Sequence, residues 1–199
     1  ASALPPSESL RPHTYYMLLG LLYSTSIRIG EAFALNLNDF HCRQQALYIA
    51  EGKFRKARWV PLHPSTSQAL EQYIHRRLRT GPKSSDSPLF INLRACRLCH
   101  CTVHSTFRQL LEKCGITHNK DSGPRIHDLR HTFAVHRLLA WYRDGQDVNA
   151  RLPALATYMG HVDVTSTQVY LHPTAELLEQ VSNRFHSHYL HNVKPKGGR

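Results

Sequence analysis

The apolar rhythm of the chain changes between residues 46 and 62, and this change limits the fold class more than any other feature. Residues 46–50 are short and β-prone through Leu47, Tyr48 and Ile49. Residues 51–56, Glu-Gly-Lys-Phe-Arg-Lys, have the glycine and charges of a turn, and residues 58–62, Arg-Trp-Val-Pro-Leu, form a second short run. Two such runs about a charged turn predict a β-hairpin with a basic tip. The flanks read differently. Residues 12–23 are dense in Leu, Met and Tyr and predict a buried helix, and the spacing of Ile29, Phe33 and Leu37 extends helix over residues 27–37. Further helices are expected at 65–78, 102–113, 126–141, 152–159, 164–171 and 174–188, with stops near Gly115 and at Gly160 and a polar break over 143–148. Residues 89–92 are expected as a third strand. The predicted class is mainly α with a small antiparallel β-sheet (α+β). One domain is expected over residues 12–190, between a linker-like stretch at 1–11 and a basic, disordered tail at 191–199.

Charge narrows the class of partner. The 25 Lys and Arg against 14 Asp and Glu give a formal net charge of +11, a balance that points to a polyanion, nucleic acid first. The longest apolar run, residues 15–23, is about half of what a membrane span requires, and no basic amphipathic helix stands out. Five cysteines (Cys42, Cys96, Cys99, Cys101 and Cys114) are an odd number, which suits a reducing compartment better than a disulfide framework. The opening Ala-Ser-Ala-Leu-Pro-Pro-Ser, without Met, reads as the linker of a longer protein.

Three segments carry candidate chemistry. In His127-Asp128-Leu129-Arg130, positions three apart on a helix share a face, so an imidazole and a guanidinium fork converge in a manner suited to phosphate oxygens. In Ser24-Thr25-Ser26-Ile27-Arg28-Ile29-Gly30-Glu31, a cation stands at a helix start, where the dipole mildly disfavours it. Such an arginine can reach a phosphate alongside helix N–H groups, and Glu31 can steady it; a surface ion pair is the plainer reading. In Gly160-His161 and the stretch through Tyr170, the glycine stops a helix and leaves His161 at the mouth of a turn. Tyr170 is one of nine tyrosines, and its hydroxyl is a poor nucleophile at a pKa of about 10 unless nearby cations favour the phenolate.

The order Arg, Lys, His-x-x-Arg, Gly-His, Tyr resembles that of the tyrosine recombinases, or phage-integrase family. Thr25-Ser26-Ile27-Arg28-Ile29-Gly30-Glu31 is similar to the family's first arginine motif, and Gly52-Lys53 to its hairpin lysine. His127-Asp128-Leu129-Arg130-His131-Thr132-Phe133-Ala134 resembles its central box. Tyr158-Met159-Gly160-His161 with Ser166-Thr167-Gln168-Val169-Tyr170 resembles its last box. The resemblance covers residues 12–188. It implies a site-specific recombinase that cleaves and rejoins DNA through a 3′-phosphotyrosyl intermediate. Tyr170 is then the nucleophile, Arg28 and Arg130 clamp the non-bridging oxygens, and His161 donates to the phosphate. His127 assists as hydrogen-bond partner or acid/base, and Lys53 protonates the leaving 5′-oxygen. It implies no cofactor, no ATP and no metal, since the arginines do the charge work of a metal ion. The implied partner is double-stranded DNA, bound by dimers or tetramers in the bacterial cytoplasm, with no membrane and no small-molecule substrate. Helix 174–188 is the implied segment for docking on a neighbour.

The chain departs from the family pattern in four places. Ser26-Ile27 stands where Gly-Leu or Gly-Met is usual. Phe54 follows Lys53 where a second glycine is common, which makes Lys56 a rival general acid. His127 and His161 lie 34 positions apart, longer than in compact members, with the extra length at 141–151. The separate N-terminal DNA-binding domain of the family is not expected within these 199 residues. Cys96, Cys99, His100, Cys101 and His104 are numerous enough to bind zinc, but lack a second Cys pair at usable spacing; reduced, unpaired cysteines are expected. A type IB topoisomerase, a non-catalytic DNA-binding relative and a histidine-based ribonuclease are the competing functions. The first shares the chemistry but favours a shorter, differently spaced set of residues. The second leaves every filled reactive position unexplained. The third has no need of Tyr170 and two arginines.

Overall fold

Ser9 starts the first helix: its hydroxyl accepts from the Arg11 backbone N–H at 3.4 Å, a side-chain cap on an otherwise unsatisfied donor. The computed structural model describes residues 9–50, 57–117, 123–161 and 165–168. The chain divides into two units, Ala1–Phe133 and Ala134–Arg199.

In the first unit, α1 (Leu10–Thr25) packs along α3 (Pro64–Arg77). Leu18, Leu21 and Leu70 are fully buried, and each such leucine contributes roughly 1.5–3 kcal/mol relative to exposure. The buried Tyr73 hydroxyl lies 3.3 Å from Thr14 Oγ1 and donates to the Leu89 carbonyl, also at 3.3 Å, so the seam is closed by satisfied polar groups. Helix α3 begins at His63, whose ring accepts from the Ser65 N–H at 3.3 Å, with Pro64 in the first turn. Helix α4 (His100–Lys113) is followed by Gly115 at φ 69.

The hairpin expected from the rhythm change is present as β2 (Ala46–Ile49) and β3 (Arg58–Pro61), antiparallel with Tyr48 opposite Trp59. Its basic tip, residues 51–56, lies outside the described residues. The third strand differs from expectation. It is β1 (Phe40–His41), paired with β2, while residues 89–92 make only an isolated bridge between Ile91 and Arg97. Leu89, Phe90 and Ile91 are buried; their apolar run serves the core rather than a ladder.

The helix expected over 27–37 is also corrected. Helix α2 is only Ile29–Ala34, six residues long, and Leu37 lies in a 3-10 turn. The break falls at Ser26, whose φ of 58 and ψ of 18 are left-handed. That torsion ends α1, with the Ser26 N–H returning to the Leu22 carbonyl at 3.0 Å. The far end of α2 is held by Arg97, which donates to the Phe33 carbonyl, to the Leu35 carbonyl at 3.2 Å and to Asn36 Oδ1 at 2.7 Å.

Helix α5 (Asp128–Arg143) begins in the first unit and runs on into the second, which also contains α6 (Val148–Met159) and α7 (Thr165–Gln168). The extra length anticipated at 141–151 is the end of α5, a turn at 144–147 and the first turn of α6. Asp147 caps α6 through the Ala150 N–H at 3.2 Å, and the Arg151 guanidinium lies 5.6 Å from the Trp141 ring centroid. The expected helix at 174–188 lies outside the described residues. No helix among the described residues is long and apolar enough to cross a membrane.

Candidate active site

The left-handed turn at Ser26 positions the first arginine. It closes α1 and sends the chain off extended, so that Arg28 occupies the N-cap of α2 with φ −72 and ψ 147. A six-residue helix offers little dipole, so what this corner presents to an anion is the guanidinium itself. The second arginine reaches the same corner from afar. Arg130, in the first turn of α5, is 3% exposed and donates through Nη1 to the Ser26 carbonyl. The two arginines, 102 positions apart in sequence, are thus tied to one backbone turn.

Glu31 organises this cluster. Its side chain is 4% exposed, against 12% for Arg58 and 22% for Arg28. Oε1 accepts from Arg28 Nη1 at 2.9 Å and from Arg58 Nη1 at 3.0 Å. Oε2 accepts from the Arg28 backbone N–H at 2.9 Å and from Arg58 Nη2 at 2.7 Å. Four donors therefore converge on one carboxylate, two of them the parallel fork of Arg58. Burial alone raises the Glu31 pKa, but the hydrogen bonds from Arg58 and the Arg28 N–H outweigh it and hold the group below the ordinary carboxylate range. The surface-pair reading of Arg28 and Glu31 does not fit so buried and fully satisfied a carboxylate. The pairing of Arg58 with Glu31 was not legible in the sequence: the neighbours of Arg58 read as a strand, and its partner lies 27 positions away.

His127 sits in the turn just before α5 rather than within it, and its carbonyl accepts the Arg130 N–H at 3.0 Å. Ile126 is buried beneath the turn and His127 is exposed. The His127 ring meets His131 edge-on at 5.0 Å. Partial desolvation of the ring, joined by repulsion from His131 and Arg130, lowers the His127 pKa and so favours the neutral imidazole.

In the second unit, Gly160 closes α6 at φ 70 and ψ 41, a left-handed stop that glycine takes without penalty. His161 follows directly, its N–H returning to the Ala156 carbonyl at 2.9 Å. Its Nδ1 lies 2.7 Å from Oγ1 of Thr167 on α7, and Thr167 is fully buried. A buried hydroxyl six residues on is a partner that spacing alone did not reveal. Lys53, its rival Lys56 and Tyr170 lie outside the described residues. The five cysteines are exposed thiols, and among the described residues no three or more His, Cys, Asp or Glu are grouped to hold a metal ion.

A model described as the phage integrase family matches residues 5–176. The chain belongs to the phage integrase family. Among its relatives in that family, a putative integrase/recombinase, y4rB, of Sinorhizobium fredii is 42% identical over 177 residues, covering 88% of this chain and 56% of the relative. Tyrosine recombinase XerD of Corynebacterium glutamicum is 35% identical over 164 residues, covering 82% of this chain and 50% of the relative. The integrase-family chain thus spans about half the length of the curated relatives it matches. Its fold is that of the XerA recombinase crystal structure, with a TM-score of 0.68 at 24% identity over 93% of this chain and 64% of that one. The family's mostly helical fold with a small three-stranded antiparallel sheet is the class expected from the sequence.

Proposed function

We propose that this chain is the catalytic part of a site-specific DNA recombinase that exchanges strands through a 3′-phosphotyrosyl intermediate. The observation that carries this reading is the corner at Ser26, where Arg28 caps α2 and is held by Glu31 while the buried Arg130 donates to the Ser26 carbonyl. Family membership supports it, as does the likeness to XerH, whose structure is that of a recombinase bound to its palindromic difH substrate after cleavage.

The roles follow from the chemistry of each group. Tyr170 loses its phenolic proton and its oxygen attacks the scissile phosphorus. The bond from phosphorus to the 5′-oxygen breaks, leaving a 3′-phosphotyrosyl ester, and the departing oxygen takes a proton to become a 5′-hydroxyl. Rejoining runs the same exchange in reverse with another strand's 5′-hydroxyl, so bond energy is kept and no nucleotide triphosphate is consumed. Arg28 and Arg130 hold the non-bridging oxygens, where charge rises during attack. His127, whose lowered pKa favours the neutral ring, assists as hydrogen-bond partner or acid/base; Lys53 donates to the 5′-oxygen, with Lys56 as its alternative. His161 donates to the phosphate. The partner is double-stranded DNA, on which dimers or tetramers assemble, and the compartment is the bacterial cytoplasm.

The test uses a nicked half-site whose short 5′-hydroxyl fragment diffuses away after cleavage, so that the covalent intermediate accumulates. An SDS-resistant complex is expected, and peptide mass mapping should place the nucleotide on Tyr170 out of nine tyrosines. No complex, or a complex on another residue, defeats the assignment.

Thr167 gives this reading a second check. With the Thr167 hydroxyl as the donor across the 2.7 Å contact, His161 takes the tautomer that carries its proton on Nε2, ready to donate. Thr167→Val keeps the shape and removes that donor. Nitrogen chemical shifts of His161 should then report mixed tautomers, and cleavage should slow by roughly 3- to 10-fold, the scale of one neutral hydrogen bond. An unchanged tautomer in the variant removes Thr167 from the mechanism.

A further inference from the structure

We infer that Arg58 is a positioning residue that balances the charge of Glu31, so that the cluster keeps the net positive charge with which Arg28 meets a phosphate. The inference rests on the recombinase reading. Glu31 touches Arg28 at both side chain and backbone. With that carboxylate and Arg28 alone, the pair is neutral, and the guanidinium is drawn toward Glu31 rather than toward DNA. Arg58 changes both terms. Its two nitrogens grip the two carboxylate oxygens at 3.0 and 2.7 Å, and its side chain, 12% exposed, is more enclosed than that of Arg28 at 22%. Arg58 is therefore the more withdrawn partner, set against the carboxylate from β3, while Arg28 lies nearer the surface.

The charge count shows what this achieves. Arg28, Arg58 and Arg130 against Glu31 leave these four groups with a net charge of +2. A phosphodiester carries one negative charge, and an attacking phenolate brings a second. The cluster thus matches the charge of the transition state better than that of the ground state, which is the condition for raising rate rather than mere affinity. Removing Arg58 lowers the count by one, and the loss falls on the chemical step. Duplex affinity, spread over many phosphate contacts, hardly senses it.

Removing charge and restoring it by a second route distinguishes this role from a structural one. Single-turnover cleavage and DNA affinity are measured on the trapping half-site for Arg58→Met, Arg58→Lys and Arg58→Met/Glu31→Gln, with thermal melting of each to establish that it is folded. Arg58→Met should cleave 10- to 100-fold more slowly, the range typical of a supporting residue one step from the chemistry, with DNA affinity within about 3-fold of wild type. Arg58→Lys keeps the charge but not the fork, and should fall between the two. The decisive variant is Arg58→Met/Glu31→Gln: it returns the net charge to +2 while an amide oxygen still accepts the Arg28 N–H, and should recover at least half of the lost rate on a logarithmic scale. A merely structural role predicts a double variant no faster than Arg58→Met, and that result overturns the inference, as does a loss of affinity equal to the loss of rate. If Arg58→Met does not fold, Arg58→Lys is compared with Arg58→Gln: a lysine variant no faster than the glutamine variant overturns the inference, and a faster one at wild-type affinity supports it. Wild-type protein that forms no covalent complex overturns the recombinase reading itself, whereas wild-type cleavage with Arg58→Met unaffected overturns only the role of Arg58.

Discussion

Tyr170→Phe is expected to abolish the covalent DNA complex while leaving half-site affinity within about 3-fold of wild type. Under the proposed mechanism the phenolic oxygen is the atom that becomes bonded to phosphorus, so the ring without it has nothing to contribute to the ester. Water attacking the same phosphate leaves no protein attached. The loss should therefore reach at least about 10^4-fold, the scale on which removal of an enzyme's nucleophile is felt. Affinity survives because a single hydroxyl adds little to a contact made largely by cations on phosphates. The measurement is a quantified SDS gel with a filter-binding titration alongside. A complex that persists in Tyr170→Phe transfers the nucleophile to another residue; a loss of complex that only tracks a loss of binding assigns Tyr170 to recognition.

Glu31→Ala should have the largest effect on stability. The carboxylate is buried and accepts four hydrogen bonds. Its removal leaves two guanidinium groups facing each other and the Arg28 N–H without its present acceptor. Breaking a buried ion pair from one side costs about 3–5 kcal/mol, which should lower the urea midpoint far more than a typical surface change. The pH dependence has a definite sign. Because the folded-state pKa of Glu31 lies below its unfolded value, the stabilisation is fully present above the ordinary carboxylate value of about 4.3. It is lost as pH falls through the lower, folded value. Urea unfolding from pH 6 downward should thus show wild type losing more stability than Glu31→Gln, which has no proton to gain. Parallel curves for the two proteins are inconsistent with a lowered Glu31 pKa.

Most of the architecture was legible because it rests on local patterns. The hairpin at 46–61 announces itself through two β-prone runs about a charged turn, and α6 through its glycine stop. The misreadings have physical causes. Ile27, Ile29, Phe33 and Leu37 keep a helical spacing through a place where the backbone reverses hand, and a serine gives no notice of a positive φ. Strand β1 has two residues, too few to show alternation, whereas the apolar run at 89–91 resembles a strand because it is buried on all sides. Arg28, His127, Arg130 and His161 were singled out through their order along the chain, and in the structure Arg130 reaches the turn that precedes Arg28. Arg58 and Thr167 were not, since each matters through a partner that only folding brings near: a carboxylate from another element for Arg58, a ring across a helix stop for Thr167. For Lys53 and Tyr170, motif order remains the basis of assignment.

The left-handed torsion at Ser26 has a bearing on how relatives are recognised. In the family pattern a glycine usually stands at this position, and the geometry shows why: the turn requires φ near 58, a region that costs an L-residue roughly 1–2 kcal/mol and glycine almost nothing. Serine meets the torsion and accepts the expense. What is required here is therefore a backbone shape, and the residue letter is only its commonest spelling. A pattern keyed to a glycine before the first arginine passes over chains of this kind, while β-branched residues, which tolerate the torsion worst, fit this turn least.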